Sequence, residues 1–162
     1  MTSDSNIKDL VLVDFDDRGE AGRVARVTFN NPEKRNALGV EGKQRFIDVI
    51  TELRYDDTLR ALVITGAGDK SFVGGSNLAD MRHYTPAEGH SASTKTHYAC
   101  DAIRTFPVPV IARINGYCFG SGMEIAAAAD MRVAADHAKF GMPEKAFLDI
   151  IQVILGVREV RV

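Results

Sequence analysis

Two glycine-rich stretches and two glutamates carry the chemistry available to this chain. The first stretch is Phe72-Val73-Gly74-Gly75-Ser76-Asn77-Leu78. The second is Gly116-Tyr117-Cys118-Phe119-Gly120-Ser121-Gly122-Met123-Glu124. Each follows a strand-like run and precedes a helix-like segment. A turn at such a junction presents backbone N–H groups with no intrahelical partner, and the helix dipole adds positive potential. It can hold a phosphate, a carboxylate or a developing oxyanion. The alternative is a tight turn that uses glycine only for its backbone angles. Neither stretch is a phosphate loop, because no Gly-Lys-Ser/Thr follows, and Gly66-x-Gly68 lacks the third glycine of a dinucleotide fingerprint.

Glu124 stands between Met123 and Ile125, in the first turn of an apolar helix. It either complements the helix dipole or faces a cavity. Glu144, after Phe140-Gly141-Met142-Pro143, reads on its own as a solvated loop acid. Beside a dry cleft, the two carboxyls can divide acid and base roles if an apolar surround separates their pKa values. His83, His90 and His97 recur every seven residues, with Cys100 beyond, but Pro86 and Gly89 interrupt any continuous helix. They read as loop histidines, and no metal is expected. Cys118 has no histidine beside it in sequence and reads as a small buried residue.

The elements that must position these groups alternate between strand and helix. Leu10–Phe15 and Arg23–Phe29 read as strands; in the second, Ala25, Val27 and Phe29 alternate with Val24, Arg26 and Thr28. Val40–Leu53 carries a helical stripe of Phe46, Ile47, Ile50 and Leu53. Ala61–Thr65, Val110–Ile114 and Met131–Ala135 read as strands, and Met123–Ala129 as a helix. The polar stretch from Arg82 to Lys95 is expected to be a mobile loop, with a helix resuming from Tyr98 to Phe106. This alternation is that of an α/β protein.

Composition narrows the class. The 162 residues are 45% hydrophobic and 26% charged, which fits one soluble domain and excludes disordered or collagen-like chains. Lys+Arg is 20 and Asp+Glu 22, a net charge of -2, so nothing favours nucleic acid as a partner. No apolar run is long enough to span a bilayer, and Met1–Asn6 is no targeting peptide. Two cysteines suit free thiols, so a cytoplasmic protein is expected.

With both turns and both glutamates placed, the sequence resembles the crotonase family of enoyl-CoA hydratases and isomerases. Asn31-Pro32-Glu33-Lys34-Arg35-Asn36-Ala37-Leu38 is similar to the family segment that borders coenzyme A. Ala61–Gly66 with Ser71-Phe72, and Pro107–Ala112 with Ile114–Tyr117, resemble the approaches to its two oxyanion turns. Ala128–Ala134 and Phe140–Glu144 complete the ordered set, which runs from about Val24 to Glu144.

The resemblance implies a spiral core of ββα units over residues 1–144. It places the oxyanion N–H donors on Ser76 and Ser121 and the catalytic carboxyls on Glu124 and Glu144. It assigns coenzyme A contacts to Lys34, Arg35, Asn36, Ala37, Leu38 and Gly66. The implied activity is hydration of a 2-enoyl-CoA thioester, with the acyl-CoA as substrate and no cofactor. Isomerase members often keep only the second glutamate. The implied assembly is a homo-oligomer, a trimer or hexamer. Two departures stand out. Gly74-Gly75-Ser76-Asn77 replaces the family's AG-x-D, and residues 145–162 form an atypical apolar segment where the family has covering helices. Most of the C-terminal helical region is therefore expected to be lacking, which keeps a non-catalytic remnant as an alternative.

Overall fold

A computed structural model describes residues 7–77 and 81–142. Strand β1 (Val11–Asp17) pairs antiparallel with β2 (Arg23–Phe29). From there the chain adds parallel strands alternately to two sheets. Strands β3 (Leu59–Gly66), β5 (Val110–Ile114) and β7 (Met131–Ala134) extend the first sheet in the order β1-β2-β3-β5-β7. Strands β4 (Ser71–Val73), β6 (Tyr117–Phe119) and β8 (Lys139–Gly141) form a second sheet, β4-β6-β8. Each successive pair thus gives one strand to each sheet, and a helix follows the pairs β3/β4 and β5/β6. That is the expected spiral of ββα units.

Helix α1 (Val40–Leu53) buries Phe46, Val49, Ile50 and Leu53 against the first sheet. In β2, Ala25, Val27 and Phe29 are fully buried while Arg26 faces solvent, as the alternation requires. Phe29 joins three elements. Its ring lies 4.9 Å from Phe46 of α1 and 6.2 Å, edge-on, from Phe72 of β4.

The stretch expected to be a mobile loop is instead largely helix α2 (Pro86–Arg104). Pro86 occupies the first turn, where its missing N–H is no loss. Thr85 Oγ1 accepts from the Glu88 N–H, and the Glu88 carboxylate accepts from the Thr85 N–H at 2.7 Å, a reciprocal capping box. These bonds hold the Glu88 carboxyl below its usual range. Ala92, Thr96, Ala99, Cys100 and Ile103 form the buried face. Helix α3 (Ser121–Ala128) completes the set, and Arg132 closes its C-terminal end by donating to the Ala126 and Ala129 carbonyls.

Candidate functional site

Parallel pairing of β4 with β6 sets the site. The pairing runs Ser71 with Tyr117 and Val73 with Cys118, so the segments leaving both strands emerge side by side. One continues as Gly74-Gly75-Ser76 and the other enters α3 at Ser121. A Cβ on Gly122 would lie 2.3 Å from the Val73 carbonyl oxygen. Glycine is therefore what lets the start of α3 close on β4. The result brings Ser76 Oγ within 3.4 Å of Ser121 Oγ. Among the described residues, neither the Ser76 nor the Ser121 backbone N–H donates to a protein acceptor. A bridge between Leu38 and Ser76 pins the first turn, with Leu38 N donating to Gly75 O and Asn77 N to Leu38 O.

Two cavities meet at this point. The smaller, about 160 Å³, is lined by Ser76, Lys43, Thr96, Met81 and Glu124 among others. The larger, about 750 Å³, runs past Phe29, Asn31, Lys34, Ala37 and Glu88. They share Leu38, Val40, Asn77 and Tyr84 as a common wall. An elongated ligand can place its bulk in the larger cavity and its end in the smaller.

Glu124 stands at the rim of the smaller cavity and is exposed; among the described residues no apolar surround of the kind anticipated for it encloses it. The reason is its place on α3: Ile125, Ala126 and Ala128 take the buried positions. Glu144 lies outside the described residues, as does the 145–162 segment.

The six residues expected around coenzyme A separate into two groups. Lys34, Asn36, Ala37 and Leu38 line the larger cavity; Arg35 and Gly66 do not. Arg35 adopts a left-handed conformation, and its guanidinium lies 5.3 Å from the centre of the Tyr117 ring. Asn36 is buried and occupied by its own chain. It donates to Ser71 O at 2.8 Å and Ala67 O at 3.1 Å, and accepts from the Asn31 N–H. Gly66 packs where a Cβ would meet Ser71 O at 2.2 Å. Asn115 fastens the same turn, donating to Gly66 O and Gly68 O and accepting from the Gly66 N–H.

Lys43 is the site residue that sequence reading missed. It is only 5% exposed, on the buried side of α1. Its Nζ donates to Ser76 Oγ at 3.1 Å and to Ala92 O at 3.3 Å. Burial pulls its pKa below the usual 10.5, while the charges of Glu124 and Cys100 oppose the shift. The signal was a lysine placed in line with Phe46 and Ile50 on an apolar helical stripe. His90 and His97 lie on α2, and among the described residues no three His, Cys, Asp or Glu side chains gather as a metal would need. Burial pushes the Cys118 thiol up to about 11.

Two interleaved, mainly parallel sheets, with the turns after β4 and β6 meeting over a cavity, define a crotonase-type fold. Residues 19–150 match the Enoyl-CoA hydratase/isomerase family, and the chain belongs to it. It is 37% identical over 123 residues to the short-chain-enoyl-CoA hydratase of Clostridium acetobutylicum, covering 76% of this chain and 47% of that one. It is 40% identical over 129 residues to (E)-benzylidenesuccinyl-CoA hydratase of Thauera aromatica, covering 76% and 48%. The crystal structure of an enoyl-CoA hydratase from Bacillus anthracis superimposes with a TM-score of 0.79 at 26% identity, over 85% of this chain and 52% of that one. The chain thus spans about half the length of the curated relatives it matches.

Proposed function

We propose that this chain carries the site of an enoyl-CoA hydratase-like lyase acting on short 2-enoyl-CoA thioesters of fatty acid metabolism. The thioester oxygen accepts from the Ser76 and Ser121 N–H groups. Water, activated by Glu124, adds through its oxygen to Cβ, and the electron pair of the C=C bond moves onto the thioester as an enolate. Glu144 then gives a proton to Cα, which regenerates the carbonyl. The observation carrying this reading is the pair of N–H groups on adjacent turns, without a partner among the described residues, beside a cavity that Ser76 and Glu124 line. Two donors aimed at one developing oxyanion are what a thioester enolate requires. The curated relatives named as hydratases support the same reaction class. The larger cavity takes the coenzyme A portion, with Lys34 at its rim as a phosphate partner.

The test is water addition to crotonyl-CoA by the wild type, E124Q and E144Q. Hydration that falls by roughly 10²–10⁴-fold in each variant supports the roles given to the two carboxyls. Turnover untouched by either substitution overturns them. Loss confined to E144Q in a double-bond migration assay identifies an isomerase, and binding without turnover in the wild type identifies a non-catalytic chain. A trimer or hexamer is the proposed assembly, read by light scattering. Among the described residues no helix is long and apolar enough to cross a membrane, and a cytoplasmic setting is proposed with the activity.

A further inference from the structure

Among the described residues, the hydration steps leave one buried charge unused. Lys43 Nζ lies inside the fold, bonded to Ser76 Oγ and Ala92 O, and no described carboxylate reaches ion-pairing distance of it. An ammonium donates three hydrogens and accepts none. Ser76 Oγ therefore accepts from Lys43, and the hydroxyl proton of Ser76 must go elsewhere. Among the described residues, the acceptor in reach is Ser121 Oγ, at 3.4 Å. Ser121 Oγ, having accepted, keeps its own proton available to donate, and no described residue takes it. The three groups thus form a chain of donors with one direction. It ends on the residue whose N–H is also without a partner among the described residues.

We propose that Lys43 is a positioning residue that orients the Ser76 and Ser121 hydroxyls, so that the Ser121 O–H becomes a third donor to the charge developing on the thioester oxygen. This rests on the hydratase-type reading and deepens it. A hydrogen bond to a charged oxygen is about twice as strong as one to a neutral oxygen. The chain therefore favours the enolate over the bound neutral thioester, which is the differential stabilisation that speeds a reaction. Burial of the lysine keeps its field from being screened by water. Serine at both turn positions, where glycine or alanine would satisfy the backbone, acquires a use. Without the lysine, the two hydroxyls are free to donate in either direction.

The experiment compares two ligands by calorimetry on the full chain. Acetoacetyl-CoA can lose a proton to solvent and bind as an enolate; butanoyl-CoA stays a neutral thioester. K43M and S121A should each weaken acetoacetyl-CoA by about tenfold to a hundredfold, the scale of a hydrogen bond to a charged group. Butanoyl-CoA should change by less than about threefold, and the enolate absorbance of bound acetoacetyl-CoA should drop. The K43M/S121A double variant should lose no more than either single, because both interrupt one chain. Equal weakening of both ligands shows a structural role alone and overturns the proposal, as do unchanged affinities or fully additive losses. S121A retains the backbone donor and the fold contacts of Lys43, so it decides the matter if K43M fails to fold. A wild type that binds neither thioester overturns the hydratase-type reading itself; one that binds both, with variants that do not discriminate, overturns only the role of Lys43.

Discussion

The Ser76 and Ser121 hydroxyl oxygens stand 3.4 Å apart across a separation of 45 residues. Neither local sequence forces that contact. It follows from β4 lying parallel to β6, and from α3 beginning directly against β4. The closeness depends on the hydrogen of Gly122, since a methyl there would press into the Val73 carbonyl at 2.3 Å.

Gly122→Ala is therefore expected to push α3 away from β4 and separate the two serines. Overpacking of this kind costs about 1–3 kcal/mol. Denaturant unfolding should show that loss, and thioester affinity should fall with it. Ser121→Gly retains the backbone donor and should be far milder in stability. Equal midpoints for wild type and Gly122→Ala would remove the close-packing argument.

The parts of the fold legible in sequence were those with one buried face and enough length to show a period. Strand β2 alternates over seven residues, and α1 carries its stripe through four turns. Strands β4, β6 and β8 were invisible because three residues display no period, and two of them sit inside glycine-rich stretches. Their parallel partners are remote, so only the fold pairs them. The two turns were found from their glycines, but part of the reason for those glycines is the close approach of the chain to itself, as Gly66 and Gly122 show. Lys43 is hard to single out from sequence, because a lone lysine on a helix is usually solvated.

Helix α2 is legible from its cap and not from its stripe. Its buried face is built from small residues, Ala92, Thr96 and Ala99, so the hydrophobic stripe is faint. Thr85-Pro86-Ala87-Glu88, however, spells a capping box with proline in the first turn. Thr85→Ala should lower stability by about 1 kcal/mol. Protection of the α2 amides from hydrogen exchange should weaken most in the first turn. Unchanged exchange there would show that packing alone starts this helix.

The two cysteines should behave as inert thiols in the folded chain. Cys118 is fully buried, and its thiol is raised to about 11; burial also raises Cys100. At pH 8 about one Cys118 thiol in a thousand is ionised, and the thiolate is the reactive form. An aromatic disulfide reagent should therefore find no rapidly reacting thiol in the native protein and both of them after guanidinium unfolding. Fast native labelling of Cys118 would mean that β6 opens readily.

Lys43 should reveal its burial through the pH dependence of stability. Its folded pKa is lowered from 10.5, first by desolvation, so the unfolded chain holds the proton more tightly than the folded one. Below the folded value both states are protonated, and the full cost of burying the charge is present. Between the folded value and 10.5 the unfolded state carries more protons, so stability rises with pH through that window. Lys43→Met lacks the charge and the titration. At pH 7 it should melt higher than wild type by roughly 2–4 °C, the shift that about 1 kcal/mol brings to a chain of this size. The gap should narrow as pH climbs toward 10.5 and the wild-type lysine sheds its proton on folding. The same substitution is expected to weaken enolate binding, so stability and ligand preference should move in opposite directions, as they do where a site holds a costly charge for use. Melting curves of both proteins at intervals from pH 7 to 10 decide it. A constant gap means that Lys43 is not titrating from a buried state, and a less stable Lys43→Met means that its two hydrogen bonds outweigh the burial of its charge.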